Sequence, residues 1–238
     1  MKIIFFSDAH LGSNGDHSER RKKVKQFLQS MIGNTDQLVI NGDLFDFWFE
    51  YKHVIPKGNL DILSLLYQLG ETGTRIDYIC GNHDFWMHDY LREELGIHIH
   101  KDEFSFTAAG KKFWVFHGDG LAKKDVGYRI LKKIFRFGPN IWLYRWLHPD
   151  LGVPLAKKIS HTSRESSQYK DLQDEQDYID YALEKMGEGF DYVILGHRHQ
   201  PQMEEFDGKK YINLGDWIHH YTFAEFDGTD LHLKTFDQ

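Results

Sequence analysis

The sequence contains one cysteine, Cys80, and five prolines in 238 residues. A single cysteine excludes an internal disulfide framework and is typical of proteins from a reducing compartment. Cys80 ends an apolar run of strand length, so we interpret it as a small buried hydrophobic residue. The low proline count and the absence of low-complexity tracts argue against a long disordered linker.

Long hydrophobic runs are also missing. No run approaches the ~20 apolar residues that a membrane-spanning helix needs. Only four apolar residues follow Lys2, too few for the core of a signal peptide. We therefore expect a cytoplasmic protein that is at most peripheral on the inner face of the cytoplasmic membrane. The net charge of −7 argues against nucleic acid as a partner.

The charge is unevenly distributed. Residues 121–170 contain eleven basic and three acidic residues, a local charge of +8, and the rest of the chain carries −15. The same stretch is rich in large apolar side chains, Trp142 and Trp146 among them. One interpretation is a set of helices packed on the domain with a solvated basic face. The other is a lid with an apolar interior for acyl chains and a basic rim. Such a rim would meet phosphates and an anionic membrane surface, where each Lys or Arg adds roughly 1 kcal/mol.

Apolar runs of strand length recur along the chain, and five of them end in a polar cluster. These runs are Lys2–Phe6, Gln37–Ile40, Arg75–Cys80, Lys112–Phe116 and Tyr192–Leu195. Most are apolar throughout, which is typical of strands covered on both faces. Helical patterns over Glu19–Met31, Asn59–Leu69 and Phe85–Leu95 separate the early runs. The last forty residues read as four consecutive strands: Gln202–Phe206, Tyr211–Leu214, Tyr221–Phe226 and Leu231–Phe236. The pattern predicts a layered α/β fold, a two-sheet β-sandwich flanked by helices.

Residues 123–187 interrupt this alternation. They read as helices over Lys123–Phe137, Ile141–Leu147, Leu151–Ser160 and Lys170–Met186. Because the segment falls between two strands with polar clusters, we interpret it as a helical insertion, or lid, within one domain. The core of that domain is then residues 1–122 and 188–238.

The five polar clusters read D-x-H, G-D-x-x-D, G-N-H-D, H-G-D and G-H-x-H. Sites in open α/β sheets form outside the carboxyl ends of strands, so we expect these clusters to meet. The candidate metal ligands are Asp8, His10, Asp43, Asn82, His117, His197 and His199. Oxygen and imidazole ligands without thiolate suit Mn²⁺, Fe²⁺, Zn²⁺ or Co²⁺. A carboxylate shared by two cations ~3.5–4 Å apart is the usual arrangement for cleaving phosphate esters.

The ordered set resembles the calcineurin-like metallophosphoesterase superfamily over nearly the whole chain. The resemblance implies one metal held by Asp8, His10, Asp43 and His199, and a second held by Asp43, Asn82, His117 and His197. It implies that His83 contacts the phosphate or protonates the leaving group, with Asp84 as its orienting partner. We expect Asp46 and Asp119 to orient ligands rather than to bind metal. The two cations would activate a water molecule for in-line attack on phosphorus.

A narrower resemblance involves Phe45-Asp46-Phe47-Trp48, the segment His117-Gly118-Asp119-Gly120-Leu121, and the position of the insertion. These features look like the UDP-2,3-diacylglucosamine pyrophosphatases of lipid A synthesis. That family releases UMP and 2,3-diacylglucosamine 1-phosphate, usually with Mn²⁺. The resemblance implies substrate contacts from Asn82, His83, Tyr128, Arg164, Ser167 and Lys170. One departure is His83, where many of these enzymes have arginine. Another is Arg198, which either reaches the substrate phosphate or faces solvent.

Three hypotheses follow. The first is a pyrophosphatase acting on an acylated UDP-sugar, with transient contact to an anionic membrane. The second is another metallophosphoesterase acting on a soluble nucleotide, a phosphoprotein or a different lipid phosphodiester. The third is a non-catalytic scaffold, against which the seven intact ligand types argue. An apolar cleft over the metals would favour the first.

Overall fold

The computed structural model describes residues 1–12, 18–156 and 172–237. The strands are β1 Ile3–Phe6, β2 Gln37–Asn41, β3 Arg75–Ile79, β4 His98–His100, β5 Phe104–Ala108, β6 Lys111–Phe116, β7 Tyr192–Leu195, β8 Pro201–Phe206, β9 Lys209–Leu214, β10 Thr222–Phe226 and β11 Leu231–Thr235. The helices are α1 Ser18–Met31, α2 Leu60–Glu71, α3 Tyr90–Leu95, α4 Val126–Arg136, α5 Gly138–Arg145, α6 over residues 149–156, and α7 Leu172–Gly187.

The strands form two sheets. The first has the order β11-β10-β1-β2-β3-β4, and the second has the order β5-β6-β7-β9-β8. Strands β1 to β4 run parallel to one another, as do β6, β7 and β9. In each sheet, therefore, the strands that carry the polar clusters point the same way.

The two faces of β1 show how the layers are built. Ile3 and Phe5 pack between the sheets, where Phe5 stacks on Phe113 of β6 with ring centroids 5.9 Å apart. Ile4 and Phe6 point the other way, into the core under α1, α2 and α3. All four side chains are buried. Both faces of β1 are covered, which explains its continuous apolar run, as the pattern predicts. The predicted two-sheet sandwich flanked by helices is confirmed.

The structure differs from the prediction at three elements. Strands β4 and β5 were not predicted, and α3 begins at Tyr90 rather than at Phe85. β4 is only three residues long, too short for a period to show. The chain before α3 is drawn into a bridge between Trp86 and Phe49, so it pairs with another loop instead of coiling.

The helices between β6 and β7 differ in how they are held. α7 packs on the second sheet through Tyr178, Ala182 and Met186, which are buried. By contrast, α4 and α5 have no buried residue. Helices α5 and α6 rest on an aromatic cluster around Phe47 and Phe49, and α4 contacts Trp86 of this cluster through Phe135. Among the described residues, no helix is both long and apolar enough to span a bilayer.

Candidate metal centre and the adjoining cavity

The loops that follow β1, β2, β3, β6 and β7 meet at one end of the two sheets. Backbone hydrogen bonds join them: the Asp8 amide donates to the Gly42 carbonyl (3.2 Å), and the His10 amide donates to the Asp43 carbonyl (2.9 Å). The Gly196 amide donates to the His117 carbonyl across the second sheet (3.0 Å). This meeting point holds all seven candidate ligands.

Five of the seven candidate ligands have a left-handed backbone. Their φ angles are 56° at Asp8, 45° at His10, 55° at Asp43, 66° at His197 and 57° at His199. Such a conformation is uncommon for residues other than glycine, and each instance costs on the order of 1 kcal/mol or more. Strain of this kind persists only where the surrounding packing imposes it. The fold therefore holds the candidate ligands in set orientations.

Two glycines allow the loops to approach so closely. A Cβ atom on Gly81 would lie 2.1 Å from Asp43 Oδ1, and one on Gly42 would lie 2.5 Å from His117 Nδ1. Gly42 also has a φ of +80°. Any larger residue at either position would push Asp43 or His117 out of place.

One group of candidate ligands consists of Asp8, His10 and His199. His10 Nε2 lies 3.2 Å from His199 Nε2, and Asp8 Oδ1 lies 3.2 Å from that same His199 nitrogen. The three ligand atoms lie within 4.8 Å of one another. Burial lowers the pKa of His10 to about 3, so its imidazole is neutral and offers a lone pair.

The other group consists of Asp43, Asn82, His117 and His197. Asn82 Oδ1 lies 3.1 Å from His117 Nε2 and 2.9 Å from His197 Nδ1. Asp43 Oδ2 lies 3.4 Å from His117 Nε2 and 3.8 Å from His10 Nε2, between the two groups. Asp43 is the one carboxylate of the set in reach of both.

The hydrogen bonding of this second group calls for a cation. His117 Nδ1 lies 2.8 Å from the Asn41 carbonyl and donates to it, which directs the Nε2 lone pair at two more acceptors, Asn82 Oδ1 and Asp43 Oδ2. Burial alone would lower the pKa of His117, but the Asp43 carboxylate overrides it and raises the pKa to about 10. A proton on His117 Nε2 relieves the repulsion between its lone pair and the two facing oxygen atoms, as a metal ion would. The donor set thus fits two divalent cations with Asp43 between them.

His83 and Asp84 do not form the expected pair. Asp84 accepts hydrogen bonds from the Gly81 amide (2.9 Å) and the Tyr78 hydroxyl. His83 Nδ1 instead lies 3.2 Å from the Asp46 carbonyl, and its Nε2 lies 3.9 Å from Asp43 Oδ2. Asp84 therefore holds the loop that carries Asn82 and His83, and the backbone of residue 46 orients the His83 ring. Burial and the nearby Asp43 charge raise the pKa of Asp84 to about 7.

The carboxylates of Asp46 and Asp119 contact different parts of the structure. Asp46 Oδ1 lies 3.8 Å from His10 Nδ1, where it can orient a candidate ligand as expected. Asp119 Oδ2 accepts instead from the Tyr128 hydroxyl on α4 (2.8 Å) and pairs with Lys132 (2.8 Å). Asp119 thus connects the strand-end loop to α4.

Asp216 was missed by the sequence analysis. Its Oδ2 lies 3.5 Å from His199 Nδ1, and its Oδ1 accepts from the backbone amides of residues 218 to 220 at 2.8–3.1 Å. It is buried and follows β9, which lies parallel to β7. The sequence contained a signal for this position, since Asp216 follows the carboxyl end of β9, a further strand of the sheet that contains β7.

The expected substrate contacts divide into three sets. Asn82, His83 and Tyr128 line a common cavity. Arg198 is buried, lies 3.4 Å from Glu175 and donates to Gln202 (3.1 Å), so it does not face solvent, and it is not among the described residues that line the cavity. Arg164, Ser167 and Lys170 lie outside the described residues.

The cavity runs from the candidate metal centre beneath the helices α4, α5 and α6. Its volume is about 370 Å³. Asn82 and His83 line it at the end near the candidate metal ligands. The apolar lining comes from these helices and from the loops after β2 and β3: Phe47, Phe85, Trp86, Leu131, Ile134, Phe135, Tyr144, Leu155 and Ala156. One continuous space therefore connects the candidate ligands with a hydrocarbon-lined wall.

Comparison with known proteins identifies the family. The calcineurin-like phosphoesterase profile matches residues 1–201. The chain is 34% identical to the UDP-2,3-diacylglucosamine hydrolase of Porphyromonas gingivalis (strain ATCC BAA-308 / W83), over 99% of this chain and 98% of that protein. It is 28% identical to the protein of the same name from Shewanella sp. (strain ANA-3), over 100% and 99%. A solved archaeal phosphodiesterase has the same fold, with a TM-score of 0.50 at 17% identity over 98% of this chain and 99% of that one. The chain belongs to the calcineurin-like phosphoesterase family, and it is a hydrolase.

Proposed function

We propose that the protein hydrolyses the pyrophosphate of UDP-2,3-diacylglucosamine to UMP and 2,3-diacylglucosamine 1-phosphate. The observation that carries the proposal is the cavity. It joins Asn82 and His83 to an apolar wall built by α4, α5 and α6. Full-length relatives named UDP-2,3-diacylglucosamine hydrolase support the same substrate.

The shape of the cavity favours a substrate with hydrocarbon attached. Burying an acyl chain is favourable by about 0.8 kcal/mol per methylene group. A soluble nucleotide would leave Leu131, Phe135 and Leu155 facing water in a space of about 370 Å³. The apolar wall begins beside His83, so an acyl chain and a phosphate at the candidate metal centre can be held together.

The roles of the site residues follow from their contacts. Two divalent cations, Mn²⁺ by our expectation, supply Lewis acidity and a nucleophile at neutral pH when bound. Asp43 lies between the two groups of ligands, and the neutral His10 offers its lone pair. The contact of His83 Nδ1 with the Asp46 carbonyl orients the ring, and a protonated Nε2 would donate to a phosphate or leaving-group oxygen.

The outer surface of the insertion suggests contact with a membrane. Trp142, Leu143, Trp146 and Leu151 are each more than half exposed. Basic side chains lie in the same segment, which carries a charge of +8 over residues 121–170. An exposed apolar surface with basic residues suits a peripheral protein on an anionic bilayer. We propose that this face rests on the membrane that supplies the acylated substrate.

The test is turnover of the proposed substrate. Purified protein with Mn²⁺ should release UMP from UDP-2,3-diacylglucosamine in detergent, and EDTA should stop the release. A small chromogenic phosphodiester serves as the comparison. Rapid hydrolysis of the soluble diester, with no UMP from the lipid, would overturn the lipid substrate and favour another phosphoesterase activity.

A further inference from the structure

A network of three side chains ties α4 to the loop after β6. Tyr128 and Lys132 lie one helical turn apart, and both reach Asp119 Oδ2 at 2.8 Å. The Asp119 side chain has no exposed surface, and its Oδ1 accepts no hydrogen bond within the described parts of the chain. This carboxylate therefore places the Lys132 ammonium at the cavity wall beside Asn82 and His83.

Two basic side chains line the described part of the cavity, Lys132 and Arg136. The Arg136 guanidinium contacts the loop after β4 and the Phe85 ring. It donates to the Lys101 carbonyl (3.1 Å), pairs with Asp102 and lies over the Phe85 ring at 5.4 Å. Its role is to fasten the end of α4 to the loop after β4. Of these two side chains, Lys132 is therefore the one that a strand-end loop of the candidate metal centre holds at the cavity wall.

The ammonium of Lys132 keeps capacity for such a ligand. It has three N–H donors, and the contacts with Asp119 engage two at most, one to Oδ2 and a longer one of 3.4 Å to the backbone carbonyl. The side chain is 18% exposed, so little water competes for the remaining donor. An ammonium with so little exposure would be costly without a carboxylate, and Asp119 reduces that cost.

We propose that Lys132 binds the phosphate that leaves with the acylated sugar, a role that rests on the proposed function. A water oxygen bonds to the uridine-side phosphorus, and the bond from that phosphorus to the bridging oxygen breaks. The bridging oxygen takes the electron pair, and at pH 8 the two protons of the water pass to solvent. The leaving phosphate gains a negative charge in this step, and it lies beyond the candidate metal ligands on the side of the apolar wall. Lys132 occupies that side.

The experiment compares a pyrophosphate substrate with one that has no second phosphate. We expect Lys132→Met to lower kcat/KM for UDP-2,3-diacylglucosamine on the order of 10- to 100-fold, the effect of losing one charge-assisted hydrogen bond. Hydrolysis of a chromogenic phosphodiester should change less than about threefold. Lys132→Arg should restore most of the lipid activity. Lys133→Met, an exposed neighbour on the same helix, should match the wild type.

The outcomes separate the two proposals. Equal losses on both substrates would mean that Lys132 merely holds α4, and no loss on either would mean that it binds nothing; both results overturn the inference. A wild type that releases no UMP from the lipid would refute the proposed function instead. Lys132→Gln provides a second variant if the methionine variant does not fold. Inhibition of diester hydrolysis by 2,3-diacylglucosamine 1-phosphate should also weaken about tenfold in either variant, and unchanged inhibition would overturn the inference.

Discussion

The strand-end loops and the helices α4 to α6 face each other across one cavity but are built differently. In the loops, Asp8, His10, Asp43 and His117 are each no more than 1% exposed, and three of these four have a strained left-handed backbone. In α4 and α5 no residue is buried, and Trp146 is 75% exposed. The loops are buried on all sides, whereas α4 and α5 are held by an aromatic cluster and by a few polar contacts from α4. Such a division suits a fixed chemical centre beneath a more adaptable substrate surface.

The contrast predicts two kinds of variant. Changes in the loops should affect every substrate, because they alter the centre where the phosphate reacts. Changes in the helices should affect acylated substrates and leave a small ester alone, because the helices meet the leaving phosphate, the acyl chains and the membrane rather than the reacting phosphorus.

The largest effect should come from Asp43→Ala. Asp43 lies between the two groups of candidate ligands, 3.4 Å from His117 and 3.8 Å from His10. Burial would raise the pKa of its carboxyl, but the charges of His117 and His83 outweigh burial and hold the pKa far below the usual value. Its loss should lower activity at least a thousandfold on lipid and on chromogenic ester, and most bound metal should disappear. Elemental analysis and both assays measure this. Glu71→Ala, which removes an exposed carboxylate at the end of α2, is the control. Full metal content in Asp43→Ala would contradict the bridging role.

A smaller effect on the same centre should follow from Asp216→Asn. The carboxylate contacts His199 Nδ1 through Oδ2. An amide NH₂ in that place would turn the Nδ1 of His199 into an acceptor and put the proton on Nε2, the nitrogen facing Asp8. Changes to a residue that orients a metal ligand cost about 10- to 100-fold in metal affinity or activity. Titration with Mn²⁺, followed by activity, gives the affinity.

The control for Asp216 is Asp237→Asn, at an exposed position near the end of the described chain. A purely structural role would lower the melting temperature of the metal-free protein without changing the affinity for Mn²⁺. That pattern would remove Asp216 from the metal centre.

The sequence predicted the loops better than the helices, and the reason is physical. Each candidate ligand such as Asp8 or His117 follows a buried strand, so the direction of the chain alone brings these residues together. Asp84 was given the wrong partner because the turn that directs it at Tyr78 depends on the packing of three segments. For the helices, the sequence left two interpretations open, a lid with an apolar interior and helices packed on the domain. An amphipathic helix such as α4 has the same pattern whether its apolar side meets a sheet, a ligand or water.

An intermediate effect confined to acylated substrate should come from Gly152→Ala. A Cβ atom there would lie 2.5 Å from the Tyr51 hydroxyl and 3.2 Å from that of Tyr144, whose hydroxyl donates to the Gly152 carbonyl (2.6 Å). Crowding of this kind costs about 1–3 kcal/mol, so α6 should move off its support. KM for the lipid should rise about tenfold while the chromogenic ester is cleaved normally. Gly127→Ala in α4, where nothing lies within 4 Å, should change neither value. Equal loss on both substrates would show that α6 supports the chemical centre itself.

The smallest effect should come from the outer face of the insertion. Trp142 and Trp146 stack edge to face, 5.8 Å apart, and both are more than half exposed outside the cavity lining. Replacing both by alanine should weaken sedimentation with vesicles of phosphatidylglycerol several-fold, because apolar area drives interfacial binding. Turnover of lipid dispersed in detergent should stay close to wild type. Leu60→Ala, which removes an apolar side chain 80% exposed on α2, should bind vesicles normally. If the double variant lost detergent activity instead and kept its vesicle binding, these tryptophans would act on substrate inside the lid, and the two surfaces of the insertion would not be separate in function.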